Sequence, residues 1–245
     1  MKKILIFCAA LATGLSSCDI LSSAANTVLS TDGTTGKPSL TNDEVIAGLR
    51  EALKVGTNNG AGLASKLDGF NKNSLIRLPF PPDAQKVKDK CIELGLKNKV
   101  DEFELTMNRA AEEACKEAAP IFINAIMGMS ISDGFNILNG PDNAATQYLK
   151  DKTTSQLISA FQPKVKTAID KVNLTKYWEP LAKAYNTATM LTGGEKVDPN
   201  LEGYITGKAV DGLFTLIQQE EGKIRKDPMA RVNDILKKVF GSLDK

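Results

Sequence analysis

"KNKVDEFELTMNRAAEEACKEAAPIF", residues 97–122, decides the fold. Val100, Phe103, Met107, Ala111 and Ala114 recur at steps of three and four, so one face of a 3.6-residue helix is apolar. The alanines on that face leave room for a second helix to approach closely. Pro120 kinks this helix or starts another. The opposite face carries Asp101, Asn108, Arg109 and Glu112.

The same reasoning extends in both directions. Thr41-Asn42-Asp43-Glu44 is a capping box, and Ile46, Leu49 and Leu53 mark the stripe of a first helix behind it. "GTNNGAG" (56–62) is expected to interrupt that helix, with Leu63 and Leu67 on another short one. The prolines of "LIRLPFPPD" (75–83) predict extended chain, with a helix restarting at Pro82 through Val87, Cys91 and Leu94 and ending at Gly95. Downstream, a capped helix starts at Ser130 and stops at Asn139-Gly140. Helices then run through Tyr148, Leu149, Leu157, Phe161, Val165 and Ile169. Residues 175–185 suggest one more. A long helix follows Asp198-Pro199, with Ile205, Ala209, Leu213, Leu216 and Ile217 buried. Asp227-Pro228 opens a last one burying Val232, Ile235, Leu236 and Val239. No strand pattern competes. The expectation is an all-α, single-domain bundle of about nine or ten helices over residues 41–245.

The N-terminus carries an address. "MKKILIFCAALATGLSSC" (1–18) has a basic start, an apolar run too short to span a bilayer, and small residues after it, which is the layout of a signal peptide over residues 1–17. Leu15-Ser16-Ser17-Cys18 resembles a bacterial lipobox, which implies cleavage before Cys18 and a diacylglycerol thioether on its sulfur. Two or three acyl chains, at ~0.8 kcal/mol per buried CH₂, anchor a protein where one does not. Residues 18–40 are the lipidated cysteine and a Ser-, Thr- and Gly-rich tether. The expected location is the bacterial cell envelope, lipid-anchored and facing the periplasm, with the membrane as a partner through Cys18.

Composition narrows the chemistry. Loss of Lys2 and Lys3 with the signal peptide leaves 29 basic against 29 acidic residues, so nothing favours nucleic acid as a partner. Histidine is absent, which removes Ser-His-Asp and Cys-His catalysis and the usual zinc ligands. No metal motif or cofactor motif is present, and no recognisable catalytic constellation argues for an enzyme. Cys91 and Cys115 either form one disulfide, worth ~3 kcal/mol by closing a loop of about two dozen residues, or stay as buried free thiols.

The stretches "VDEFELTMNRAAEEA" (100–114), "ILNGPDNAATQYL" (137–149) and "DGLFTLIQQEEGKIRKDPMAR" (211–231) resemble a bacterial family classed only as a domain of unknown function. The resemblance spans nearly all of residues 40–241. It implies a secreted or lipid-anchored helical envelope domain, and carries no activity, cofactor or catalytic residue.

Four residues stand out as ligand-binding candidates: Asn108, Arg109, Glu112 and Glu220. The first three form either a polar groove, with Arg109 gripping a carboxylate or phosphate, or a solvated face with ordinary pairs from Arg109 to Glu112 or Glu113. Leu105 amid them hints at a cover. Glu220 projects into a buried stripe and needs a partner, with Arg225, Arg231 and Arg109 available. Asp142 reads as a helix N-cap. Tyr177-Trp178 reads as core, or as an aromatic contact for a sugar or protein. The favoured function is a non-enzymatic helical domain binding an envelope protein or small ligand. The alternative is a hydrolase or lyase acting on cell-wall glycan through Glu220, Glu221, Glu112 or Asp101.

Overall fold

The computed structural model describes residues 40–242, except 94, 96, 172–177, 179–182, 184, 185, 188, 189, 191–195 and 197–199. Cys18 and the other residues before 40 lie outside it. Among the described residues the chain is helical and has no strand. The elements are α1 (Asn42–Ser65), a 3₁₀ turn (Pro82–Ala84), α2 (Gln85–Glu93), α3 (Lys97–Ala114), a 3₁₀ turn (Cys115–Glu117), α4 (Ala118–Met127) and α5 (Ile131–Leu138). There follow α6 (Ala144–Lys171), α7 (Leu201–Lys226), a 3₁₀ turn (Pro228–Ala230) and α8 (Asp234–Gly241). The helix expected over 175–185 lies largely outside the described residues, although Trp178 is helical.

α7 is the hub. Its stripe of Ile205, Ala209, Leu213, Leu216 and Ile217 is buried as expected, and Val210, Phe214 and Ile224 widen it until half of the helix is buried. α1, α3, α6 and α8 pack around it. The α3 stripe is buried as predicted, and Phe103 and Phe80 enclose Trp178 at 5.8 and 5.9 Å between ring centroids. Trp178 is therefore core; Tyr177 lies outside the described residues. Full burial of each such side chain contributes roughly 1.5–3 kcal/mol.

Local signals hold where they are short-range. Thr41 and Ser130 each make a complete capping box, and Gly95 sits at φ +78° after α2. Pro120 falls in the first turn of α4, after the 3₁₀ break.

Several expectations are corrected. "GTNNGAG" does not interrupt α1, which runs unbroken to Ser65, and no separate helix carries Leu63 and Leu67. The glycines are points of close approach instead: a Cβ on Gly60 would lie 2.8 Å from Ile217 Cγ1 and 3.2 Å from its backbone nitrogen. Residues 144–171 form one helix, because Pro163 lies on the solvent side, where water can serve the carbonyl it leaves unbonded. Asp227 caps only the 3₁₀ turn, while Asn233 caps α8, so Val232 precedes the last helix and is exposed.

Candidate functional site

Glu104, Asn108 and Glu112 are spaced by four on α3 and form one polar strip. Along it lies the irregular segment 66–80, whose Phe70, Ile76, Leu78 and Phe80 enter the core. Such a segment has backbone groups that no helix satisfies, and the strip supplies their partners. Glu112 accepts from the N–H of Phe70 and of Asn71, both at 3.1 Å. Asn108 matches Leu78 at both backbone groups, accepting its N–H at 2.8 Å and donating to its carbonyl at 3.0 Å; its amide also donates to Glu104 O at 2.7 Å. Glu104 holds Arg77 and Lys88 at 2.9 and 2.6 Å.

Arg109 clamps the near end. Its guanidinium donates to Glu112 at 2.6 Å and to Asp68 at 2.7 Å. Asp68 has φ 64°, a left-handed conformation that costs a non-glycine residue energy and that these bonds maintain. Lys72 and Asn71, then Arg109, hold its carboxyl well below the usual carboxylate range. The Arg109 guanidinium is raised in turn by Glu112 and Asp68.

The two sequence readings of this face are thus both corrected in part. Arg109 does pair with Glu112, yet Asn108 and Glu112 are buried beneath the 66–80 segment rather than solvated or lining an open groove. Leu105, the supposed sign of a cover, is exposed.

Glu220 is buried on α7, as its position in the stripe requires, but none of the three expected arginines reaches it. Its partners are Lys223, one turn on, and the Asn59 amide of α1 at 2.9 Å. Arg109 is engaged at Asp68, and Arg231 donates to the carbonyls of Ile224 and Arg225 at 3.1 and 3.0 Å, closing the end of α7.

Glu221 has the larger structural role. Its carboxylate sits on the open start of α6, accepting from the N–H of Ala145 at 2.9 Å, the N–H of Thr146 at 2.8 Å and the Thr146 hydroxyl at 2.7 Å. A negative charge there also meets the positive end of the helix dipole. Arg225 pairs with it at 3.0 Å and donates to Ile137 O, near the end of α5, at 2.8 Å. One ion pair therefore ties the end of α5, the start of α6 and α7 together. Asp142 is not the cap; it lies outside the helix, paired with Lys226 at 2.5 Å. The cavity beside this node, bordered by Leu53, Gly56, Thr146, Glu221 and Arg225, measures about 20 Å³. That is room for about one water.

The four acids proposed for glycan chemistry are all engaged. Glu112, Glu220 and Glu221 are held as described, and Asp101 is an exposed partner of Lys97 at 2.5 Å. Cys115 is a free thiol in the core; burial, and then Glu112, push its pKa up, so it is a poor nucleophile. The side chain of Cys91 lies outside the described residues.

Sequence reasoning missed Glu104, Asp68, Asn59 and the capping role of Glu221. The four-residue spacing of Glu104 with Asn108 and Glu112 was a visible signal. Asp68 has local partners in Asn71 and Lys72, but its link to Arg109, like the partners of Asn59 and Glu221, lies far along the chain.

These features define an all-α domain whose buried polar clusters brace its own chain. The chain belongs to the family described as "Protein of unknown function (DUF4197)", whose profile matches residues 39–241. Comparison with curated proteins and with solved structures gave no match.

Proposed function

We propose that this chain is a lipid-anchored protein of the bacterial cell envelope, facing the periplasm, whose helical domain binds a partner rather than catalysing a reaction. The carrying observation is the fate of the candidate site residues. Asn108, Arg109, Glu112, Glu220 and Glu221 spend their hydrogen-bonding capacity on the backbone and side chains of the domain itself. Polar groups so occupied support a scaffold and leave recognition to the surface. The lipobox-like Leu15-Ser16-Ser17-Cys18 and the 18–40 tether support the anchor.

No observation favours the glycan hydrolase over this reading. A general acid needs a carboxyl free to exchange a proton with substrate, whereas the four named acids are ion-paired or hydrogen-bonded. Incubation of the purified protein with cell-wall sacculi tests the point. The expected result is no release of soluble fragments; turnover that is abolished by Glu220→Gln would overturn the proposal.

A further inference from the structure

The connection between α4 and α5 is unlike the rest of the surface. Residues 118–132 contain no Asp, Glu, Lys or Arg, in a chain that is 24% charged. The chain bends by 106° between Met127 and Ile131. On this corner Ile123 is 44%, Met127 65% and Ile131 51% exposed. Ile123 and Met127, four apart, share one face of α4.

The carbonyls of residues 124–127 and 129 are satisfied within the protein. A helix end ordinarily leaves carbonyls for water. Here Asn124 O accepts from Gly128 N–H, Ile126 O from Met129 N–H, and Ala125 O from the Tyr148 hydroxyl at 3.2 Å. Arg50 donates to Met127 O at 3.3 Å and to Met129 O at 2.8 Å. On the α5 side, Ser130 N–H is satisfied by Asp133. Exposed apolar side chains over helix-end carbonyls that do not need water suit a low-dielectric surface.

We infer that the α4–α5 corner, through Ile123, Met127 and Ile131, is a membrane-contacting face that seats the domain on an anionic bilayer. Two features select lipid over a protein partner. Arg50, and Lys152 beside Tyr148, place two cations at the rim against one acid, Asp133, which stays ionised in its capping box and within reach of Lys152, so the rim keeps a positive balance. The corner also lies near the entry of the chain into the domain. Arg50 follows the α1 cap Thr41 by nine residues, ~13 Å along a helix. The sequence leaves only about 21 residues between Cys18 and the domain, a contour of at most ~75 Å, which bounds how far the domain stands from an anchored lipid. Under that confinement a weak docking face is enough to set the orientation. The inference rests on the lipid anchor proposed above.

The test uses the full-length lipidated protein in phosphatidylethanolamine/phosphatidylglycerol vesicles with or without brominated acyl chains, which quench tryptophan on contact. Met127→Trp reports the corner, with Ile123→Trp as a second reporter should the first not fold. Met229→Trp, at a residue 88% exposed elsewhere, and the buried Trp178 are controls. The expected result is loss of most of the Met127→Trp emission in brominated vesicles, at an insertion depth of ~5–10 Å, with both controls unchanged. Equal quenching at Met127 and Met229 overturns the docking face. So does a blue-shifted but unquenched Met127→Trp, which means that protein, a second copy or a partner, covers the corner. Flotation of the wild-type protein reads the anchor separately. A protein that floats unquenched keeps the anchor and loses the face; one that does not float loses both.

Discussion

Glu221 on α7 binds Thr146 at the start of α6 through both its backbone N–H, at 2.8 Å, and its hydroxyl, at 2.7 Å. The two residues are 75 positions apart, so a cap that is ordinarily local has become a tertiary joint. With Arg225 the carboxylate is buried, and a buried charge that loses its partner is costly.

Glu221→Ala and Arg225→Ala should therefore each destabilise the domain by about 3–5 kcal/mol. The double variant should lose less than the sum of the two, by ~0.5–3 kcal/mol, because each single change strands the other charge. Urea unfolding of the four proteins measures the coupling. Strict additivity would mean that the pair does not act as a unit.

Asn108→Ala should cost about 2 kcal/mol or more, since each buried backbone group left unsatisfied costs ~1–3 kcal/mol. Asn108→Asp should be no better, because a carboxylate cannot donate to Leu78 O or Glu104 O. Hydrogen exchange should show the loosening first in residues 66–80. Uniform loosening across the domain would argue that the strip does not hold that segment.

Asp68 gives the docked segment an acid limit. Its folded-state pKa is depressed by Lys72, Asn71 and Arg109, so its contribution is complete above the unfolded value of about 4 and fades as pH falls below it. Asp68→Asn keeps a side chain that tolerates positive φ but removes the charge. Melting temperature should fall less steeply below pH 4 in the variant than in the wild type. Parallel curves would remove Asp68 from the acid response. Glu44, Asp133 and Asp142, also depressed, contribute to the slope that stays.

Two glycines on α1 should respond with opposite sign. Alanine at Gly62 meets nothing within 4 Å and should stabilise the helix by up to ~1 kcal/mol. Alanine at Gly60 collides with Ile217 and should cost ~1–3 kcal/mol by overpacking. Thermal melts of the pair decide it; equal shifts would mean that α1 and α7 are not in close contact there.

The pattern of what the sequence disclosed follows the range of each interaction. The α3 and α7 stripes and the Thr41 and Ser130 boxes depend on neighbours three or four residues away, and all were legible. Gly56 and Gly60 misled because a glycine that admits a neighbouring helix looks, in sequence, like one that ends its own. The strip facing residues 66–80 carried a local signal, the spacing of Glu104, Asn108 and Glu112, but not what it holds. Asp142 reads as the α6 cap in sequence because it lies just before that helix; Glu221 takes that place from a distant helix, and no local pattern reports that. Glu220 was legible as a buried acid, while Asn59 on α1 was hidden for the same reason.

The anchor is tested most directly by the intact mass and N-terminal peptide of the protein extracted from bacterial envelopes. The account predicts a chain that begins at Cys18 and carries a diacylglyceryl group on its sulfur, and a Cys18→Ala variant that lacks this modification. A Cys18 recovered as an unmodified thiol, in a chain cut elsewhere or not cut at all, would contradict it.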